Sequence, residues 1–279
     1  MAFFRTSAPD TEAEFRHALY TGAVFHLPSN PATLAMVSAV NSPLEDELGP
    51  NPREAQFRMS DGEFFERVGR LRKAIYTGPR FHAAVGEVMR SAGFNPIRVA
   101  FDPIRLRVIA HRGYENPAAA PIYYAHRDTW YAHSQAEITW WIPLHDVTAA
   151  ETFEFYPDWF DKPVPNNSEA FDYETWTRHG ANLRIGWQNP ADGKTHTFPG
   201  QVGEFAPGQR VGFAAQAGEL ILFAGAQFHQ TKKNDTGRTR FSIDFRTVNL
   251  EDHAAEIGAP NTDNRSTGSA VRDYTRLPV

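Results

Sequence analysis

His126, Arg127 and Asp128 stand together near the middle of the chain; His229 and Arg240 lie far downstream, eleven residues apart. Two imidazoles and a carboxylate are a donor set for a first-row divalent metal, and the chain has no cysteine, which removes thiolate ligands, thiol nucleophiles and disulfides together. On an extended segment alternate side chains share a face, so His126 and Asp128 can reach one ion together. His229 follows the apolar run Glu219-Leu-Ile-Leu-Phe-Ala224 after a short glycine-containing turn. Two imidazoles and one acid on one side of a metal leave three positions open. That facial arrangement suits a mononuclear non-haem Fe(II) centre.

The segment Arg238-Thr-Arg240-Phe-Ser242-Ile-Asp244-Phe-Arg246 carries the second argument. Charged and polar residues alternate with Phe241, Ile243 and Phe245, so one face of a strand is apolar and the other polar. If the polar face lines an interior, each guanidinium there needs a partner. A small dicarboxylate would be one, held by paired N–H···O bonds with the Ser242 hydroxyl beside it. Arg238, Arg240 and Arg246 compete for that role; Arg246 reads equally as an ion-pair partner and Arg238 as an exposed turn residue. Tyr124 shares the expected ligand face. Trp130 and Tyr131, which follow Asp128 directly, and His133 are candidates to line a substrate cavity. For His126 and Asp128 the bland reading is a surface pair. His133 and His145 compete for the distal ligand place, but neither follows an apolar strand with an arginine downstream.

These residues must be positioned by a mainly β fold with helical additions. Residues 1–96 read as mostly helical. A helix opens at Asp10-Thr11-Glu12-Ala13-Glu14 and ends at Gly22; Ala23–Leu27 is a short strand; residues 31–40 are helical. Ser60 caps a helix carrying Phe64, Phe65, Val68, Leu71 and Ile75 at helical spacing, and another runs from Arg80 to Met89. From about residue 97 the period becomes two. Strands are expected at 104–110, 122–128, 138–144, 151–156, 184–187, 209–213, 219–224 and 239–248, interrupted by an irregular or partly helical insertion over 157–182. Several short strands with Gly/Pro turns indicate a sandwich or jelly roll. The tail 251–279 is polar and either loosely ordered or a flap. The whole chain of 279 residues reads as one domain.

Net charge is −5, with no Lys/Arg-rich run, which argues against nucleic acid and anionic membranes as partners. No apolar run is long enough for a signal peptide or a membrane span, so a cytoplasmic protein is expected, as a monomer or homodimer.

The run Ala125-His126-Arg-Asp128-Thr-Trp130 with Ile138-Thr-Trp-Trp-Ile-Pro143-Leu144, and Gly218-Glu-Leu-Ile-Leu-Phe223 with His229, Asn234, Arg240 and Ser242, resembles the Fe(II)/2-oxoglutarate oxygenases, most of all their phytanoyl-CoA-dioxygenase-like branch. The likeness covers roughly residues 100–248. It implies a double-stranded β-helix (jelly-roll, cupin-like) core with the N-terminal helices packed on it. It also implies Fe(II) at His126, Asp128 and His229, 2-oxoglutarate at Arg240, and O2 as oxidant. The implied activity is oxidation, most directly hydroxylation, of an aliphatic C–H of a small molecule, a secondary metabolite or its precursor. Desaturation, ring closure and epimerisation use the same oxidant. Where that branch has a Gly-rich stretch, this chain has Glu151-Thr-Phe-Glu-Phe-Tyr-Pro157, so the branch's substrates do not carry over. His111-Arg112-Gly113 has the H-x-G form of related halogenases, but Asp128 keeps the strand-borne copy complete. The alternatives are a non-catalytic jelly-roll protein binding a metal or small molecule, and a cupin-type metalloenzyme that makes no use of 2-oxoglutarate.

Overall fold

The structure, a computed structural model, describes residues 3–180 and 198–277. Strand β1 (Phe4–Arg5) precedes helix α1 (Glu12–Tyr20). Thr11 caps α1 reciprocally: its hydroxyl accepts from the Glu14 N–H and the Glu14 carboxylate accepts from the Thr11 N–H, both at 3.2 Å. Next come β2 (Val24–Leu27), α2 (Pro31–Leu48), α3 (Asp61–Thr77) and α4 (Pro79–Ser91). Helix α2 runs past residue 40 and through Pro43, burying Leu44 and Leu48. Burying two leucines stabilises by ~1.5–3 kcal/mol each, enough to offset the ~3 kcal/mol cost of an internal proline. In α3 the residues Phe64, Val68, Leu71 and Ile75 are buried as their spacing predicts, while Phe65 faces solvent.

The strands that follow are β3 (Val99–Phe101), β4 (Arg105–Ile109), β5 (Glu137–Pro143) and β6 (Phe153–Phe155). After helix α5 (Tyr173–Gly180) come β7 (Val211–Gly212), β8 (Leu220–Ala224), β9 (His229–Thr231), β10 (Arg240–Asn249) and helix α6 (Leu250–Ala254). They form two sheets: a seven-stranded one ordered β1-β2-β8-β5-β10-β3, with β4 also on β10, and a three-stranded one ordered β7-β6-β9. Only the β1–β2 pair is parallel. Strand β10 is central, with β5 on one side and β4 and β3 in succession on the other, and all ten of its residues are buried.

Register sorts the large sheet's side chains. Phe241, Ile243 and Phe245 of β10 share a face with Trp140 and Ile142 of β5 and Leu106 and Val108 of β4. That face meets α1–α4 in one apolar cluster. The opposite face carries Arg240, Ser242, Asp244 and Arg246, with Thr139 and Trp141 of β5 and Arg105 and Arg107 of β4. Trp141, Ile221 and Phe223 on that face pack on Phe153, Phe155 and Phe213 from the small-sheet side. The result is three layers, helices on the large sheet and the large sheet on the small one.

Two expectations are corrected. Residues 122–128 form no strand: a 3-10 turn covers Pro117–Tyr123, His126 makes one isolated bridge to His229, and a second 3-10 turn covers Asp128–Tyr131. Pro121 removes a ladder N–H, and the alternation alone could not outweigh it. Nor is the tail loose. Ala259 N–H donates to Gln135 O at 2.8 Å, Ala270 N–H to Ala132 O at 3.0 Å, and Thr275 and Phe101 exchange both backbone bonds at 2.8 Å. The insertion is partly helical as expected over 157–180; the strand expected at 184–187 lies outside the described residues. No helix among the described residues is long and apolar enough to cross a membrane.

A Cβ at Gly258 would lie 2.3 Å from the carbonyl carbon of Gln135. Gly258→Ala should therefore lift the tail off this backbone and cost about 1–3 kcal/mol of stability, read from urea midpoints and from faster tryptic cleavage at Arg265 and Arg272.

Candidate metal centre

Residues 126–128 are locally extended even without a strand, with Arg127 at φ −110°, ψ 141°. His126 and Asp128 therefore project to one side and Arg127 to the other. A backbone pair brings in the distal ligand: His126 N–H donates to His229 O and His229 N–H to His126 O, both at 3.0 Å. The ring centroids of the two histidines are 4.5 Å apart. Ligand atoms of His126, Asp128 and His229 all lie within 4.8 Å of one another, the only such His/Cys/Asp/Glu group among the described residues.

Proton placement on the rings follows from their partners. His126 Nδ1 is 2.8 Å from Tyr124 O, and His229 Nδ1 is 2.9 Å from Gln227 O. A carbonyl only accepts, so each Nδ1 carries the proton and each Nε2 presents its lone pair. Burial, and then His126, push the His229 imidazole down to about 4, which keeps it neutral and ready to ligate. Tyr124 thus acts through its carbonyl. Its side chain is exposed and lies against Gly200.

Asp128 is gripped at both oxygens. Arg246 Nη2 donates to Oδ1 at 3.0 Å and Thr139 Oγ1 donates to Oδ2 at 2.8 Å. Burial alone raises this carboxyl, but Arg246 and the two histidines outweigh it and hold it well below the usual carboxylate range. Arg246 Nη1 also donates to Asp102 Oδ2 at 3.3 Å. Its Nε lies 3.1 Å from Glu137 Oε1, yet the N–H is not aimed there and makes no hydrogen bond. Glu137 is pushed well above the usual carboxylate range by burial and by Asp128. Arg246 is therefore committed to ion pairs, and Arg238 is an exposed turn residue.

Arg240 differs. It is 2% exposed; among the described residues its only side-chain hydrogen bond runs from Nη1 to Ser242 Oγ at 3.2 Å, and its buried Nε has no partner. No carboxylate among the described residues lies within ion-pair distance of it. Trp141 lies beneath it, 5.7 Å from Cζ to ring centroid. Burial, then Arg107, lower its pKa to about 10. Asn234 sets the turn that starts β10 here, donating to Ile109 O at 2.9 Å and Arg238 O at 2.7 Å.

Other expected residues divide. The Tyr131 ring meets His126 edge-on at 5.7 Å, and His133 is buried beside Arg246 with Nδ1 2.9 Å from Tyr274 Oη. Trp130 lines no cavity: it is fully buried against Phe228 and its indole N–H donates to Asp263 at 2.7 Å. An indole that follows the ligand turn immediately sits under it, in the packing, rather than beside the ion. His145 and His111 lie apart from the triad, accepting from the Phe241 and Gly237 N–H groups. Sequence reasoning missed Thr139, Asp102 and Glu137. Asp102 carries no local motif; Glu137 and Thr139 are marked only by sharing parity with Trp141 on one strand.

The donor set fits a ferrous ion: neutral imidazoles with lone pairs directed inward, one anchored carboxylate, and no competing thiolate. Arg240 fits the carboxylate of an anionic co-ligand, since its Nε is orphaned in a dry site.

No family model matches the chain, and no curated protein matches it. Among solved structures it is similar to SnoN, a non-haem alpha-ketoglutarate dependent epimerase from nogalamycin biosynthesis, at 15% identity over 96% of this chain and 98% of that one, TM-score 0.41. EvdO2 from Micromonospora carbonacea var. aurantiaca, complexed with 2-oxoglutarate, is 12% identical over 88% and 94%, TM-score 0.44. ThoJ, a non-haem monooxygenase, is 14% identical over 80% and 72%, TM-score 0.39. None of the three is named a phytanoyl-CoA dioxygenase, so the branch expected from the motifs finds no counterpart among them. At these scores the likeness carries no argument, and the site stands on its own geometry.

Burial leaves His133, His145 and His229 titrating at about 3, 4 and 4 instead of 6.5. The unfolded chain therefore takes up these protons first as pH falls. Stability of the metal-free protein, fully present above pH ~6.5, should be lost down to pH ~4 by up to about 1.4 kcal/mol per pH unit for each ring. Urea midpoints between pH 7 and 5 check this; a flat profile would mean that the rings are solvated.

Proposed function

We propose that the protein is an Fe(II)/2-oxoglutarate-dependent oxidoreductase acting on a C–H bond of a small molecule, most directly as a hydroxylase, on a jelly-roll core formed by the two sheets. The observation that carries this reading is Arg240. It is a buried guanidinium without a carboxylate partner among the described residues, on the same interior face as Arg246, which holds the candidate ligand Asp128. A structural metal site has no use for such a cation, and neither does a metalloenzyme without an anionic co-ligand.

Bound Fe(II), 2-oxoglutarate and O2 would supply the oxidising power, with the keto acid leaving as succinate and CO2. The chain's residues supply the rest. His126 and His229 present Nε2 lone pairs while their Nδ1–H groups donate to Tyr124 O and Gln227 O. Arg246 and Thr139 keep Asp128 ionised and fixed. Arg240 takes the far carboxylate of the keto acid, and the Ser242 hydroxyl, which accepts from Arg240, can donate its own proton to the same carboxylate. Tyr131 and His133 are the residues assigned to the substrate side. Cytoplasmic location belongs to the same reading.

Conversion of 2-oxoglutarate to succinate with Fe(II) and O2, measured without added substrate, tests the assignment. Asp128→Ala should abolish it; turnover at the wild-type rate would remove Asp128 from the site. Arg240→Ala should raise the KM for 2-oxoglutarate about 30-fold, through loss of ~2 kcal/mol of charge-assisted hydrogen bonding. An unchanged KM would leave the keto acid without its assigned anchor.

A further inference from the structure

Arg127, between two candidate metal ligands, points away from the ion and is 1% exposed. Its guanidinium meets five acceptors. Nε donates to Asp263 Oδ2 at 3.1 Å; Nη1 donates to Phe160 O at 3.2 Å and to Ala226 O; Nη2 donates to Trp159 O at 2.6 Å and Lys162 O at 2.7 Å. Phe228 lies 5.7 Å from Cζ. Four separate stretches of chain thus converge on one side chain: the 126–128 segment, the 226–229 segment, the 159–162 loop and the C-terminal tail. Two of the four carry the metal ligands.

Asp263 is the carboxylate that ion-pairs Arg127 among the described residues, with Asp161 adding a more distant negative charge, and Asp263 comes from the tail. Its Oδ1 accepts from Trp130 Nε1 at 2.7 Å and its Oδ2 from Val164 N–H at 2.9 Å, besides Arg127. Trp130 lies in the 3-10 turn that begins at Asp128. The Asp263 carboxylate therefore grips the proximal ligand segment at both ends of Asp128, through Arg127 before it and Trp130 after it. Arg127 passes the constraint to Ala226, just ahead of Gln227, whose carbonyl orients His229.

We propose that Arg127 and Asp263 are positioning residues that couple metal affinity to the C-terminal tail: the tail's carboxylate sets the spacing of His126 and Asp128 against His229. The proposal rests on the reading of these three residues as ligands. The substitution Asp263→Asn keeps the shape but turns an amide donor either toward the Arg127 and Val164 N–H groups or toward the Trp130 indole N–H, so the clamp loses both its charge and one acceptor.

The test is Co(II) titration of the metal-free full-length protein, followed by visible d–d absorbance. Asp263→Asn should weaken Co(II) binding at least tenfold and change the band intensity, the size of effect typical when a group that orients ligands is removed. Val68→Ala, a core truncation in α3 far from the site, should lower the urea midpoint and leave Co(II) affinity at the wild-type value. Should Asp263→Asn not fold, Trp130→Phe keeps the ring and deletes one bond to Asp263, and a severalfold weakening is expected. Wild-type affinity in whichever of these two variants folds overturns the proposal. So does a parallel loss of affinity in Val68→Ala, which would make the effect one of general stability. If the wild-type protein binds no Co(II), or Asp128→Ala binds it equally well, the ligand assignment fails instead, and the proposal with it.

Discussion

The inner face of β10 must bury charge. Arg240, Ser242, Asp244 and Arg246 stand in a row on a strand that is covered along its whole length. An unpaired ion in such a place costs several kcal/mol, so the surrounding structure is arranged to meet these groups. Asp102 and Asp128 close on Arg246, and Arg107 of β4 reaches Asp244 at 2.7 Å. Asp128 is thus placed as much by the need to neutralise Arg246 as by its own turn. Along this row, Arg240 has no carboxylate partner among the described residues.

Around that row the backbone sets the ligand geometry at short range. The reciprocal His126–His229 pair joins segments far apart in sequence, and the nearby carbonyls of Tyr124 and Gln227 decide the tautomer of each ring. Behind the pair, Arg127 gathers carbonyls that no regular element satisfies. The side facing the candidate ligands is polar, carrying the two imidazoles and the Asp128 carboxylate. The other side is a packed cluster of Trp130, Tyr156, Phe228 and the arginine. Rigidity on one side and vacant valence on the other is what a site needs if it is to hold an ion while other ligands exchange.

Much of this was legible in residue order. The helices of the first hundred residues follow their caps and periodicity, and the apolar and polar faces of residues 240–246 separate as alternation requires. The 122–128 segment was misread because alternation there competes with Pro121, and a single bridge suffices to hold His126. Its functional content survived the error, since only Arg127 had to be extended for His126 and Asp128 to share a side. The tail reads as either loosely ordered or a flap, and only the first of these is overturned. Its composition is that of a loose segment, and it is fastened by backbone bonds and by Asp263, neither of which leaves a mark in composition.

By itself, the sequence determined which atoms are available: two imidazoles, one acid, and a run of arginines alternating with phenylalanines, without any thiol. These are local properties, carried by residue type and by the two-residue period of an extended chain. Only the tertiary structure decided which arginine stays unpaired, that Trp130 packs rather than lines a cavity, and that Arg127 ties the ligand segments to the tail. Those outcomes depend on what arrives across the sheets from residues 102, 137, 226 and 263, and no spacing along the chain encodes a contact made through space.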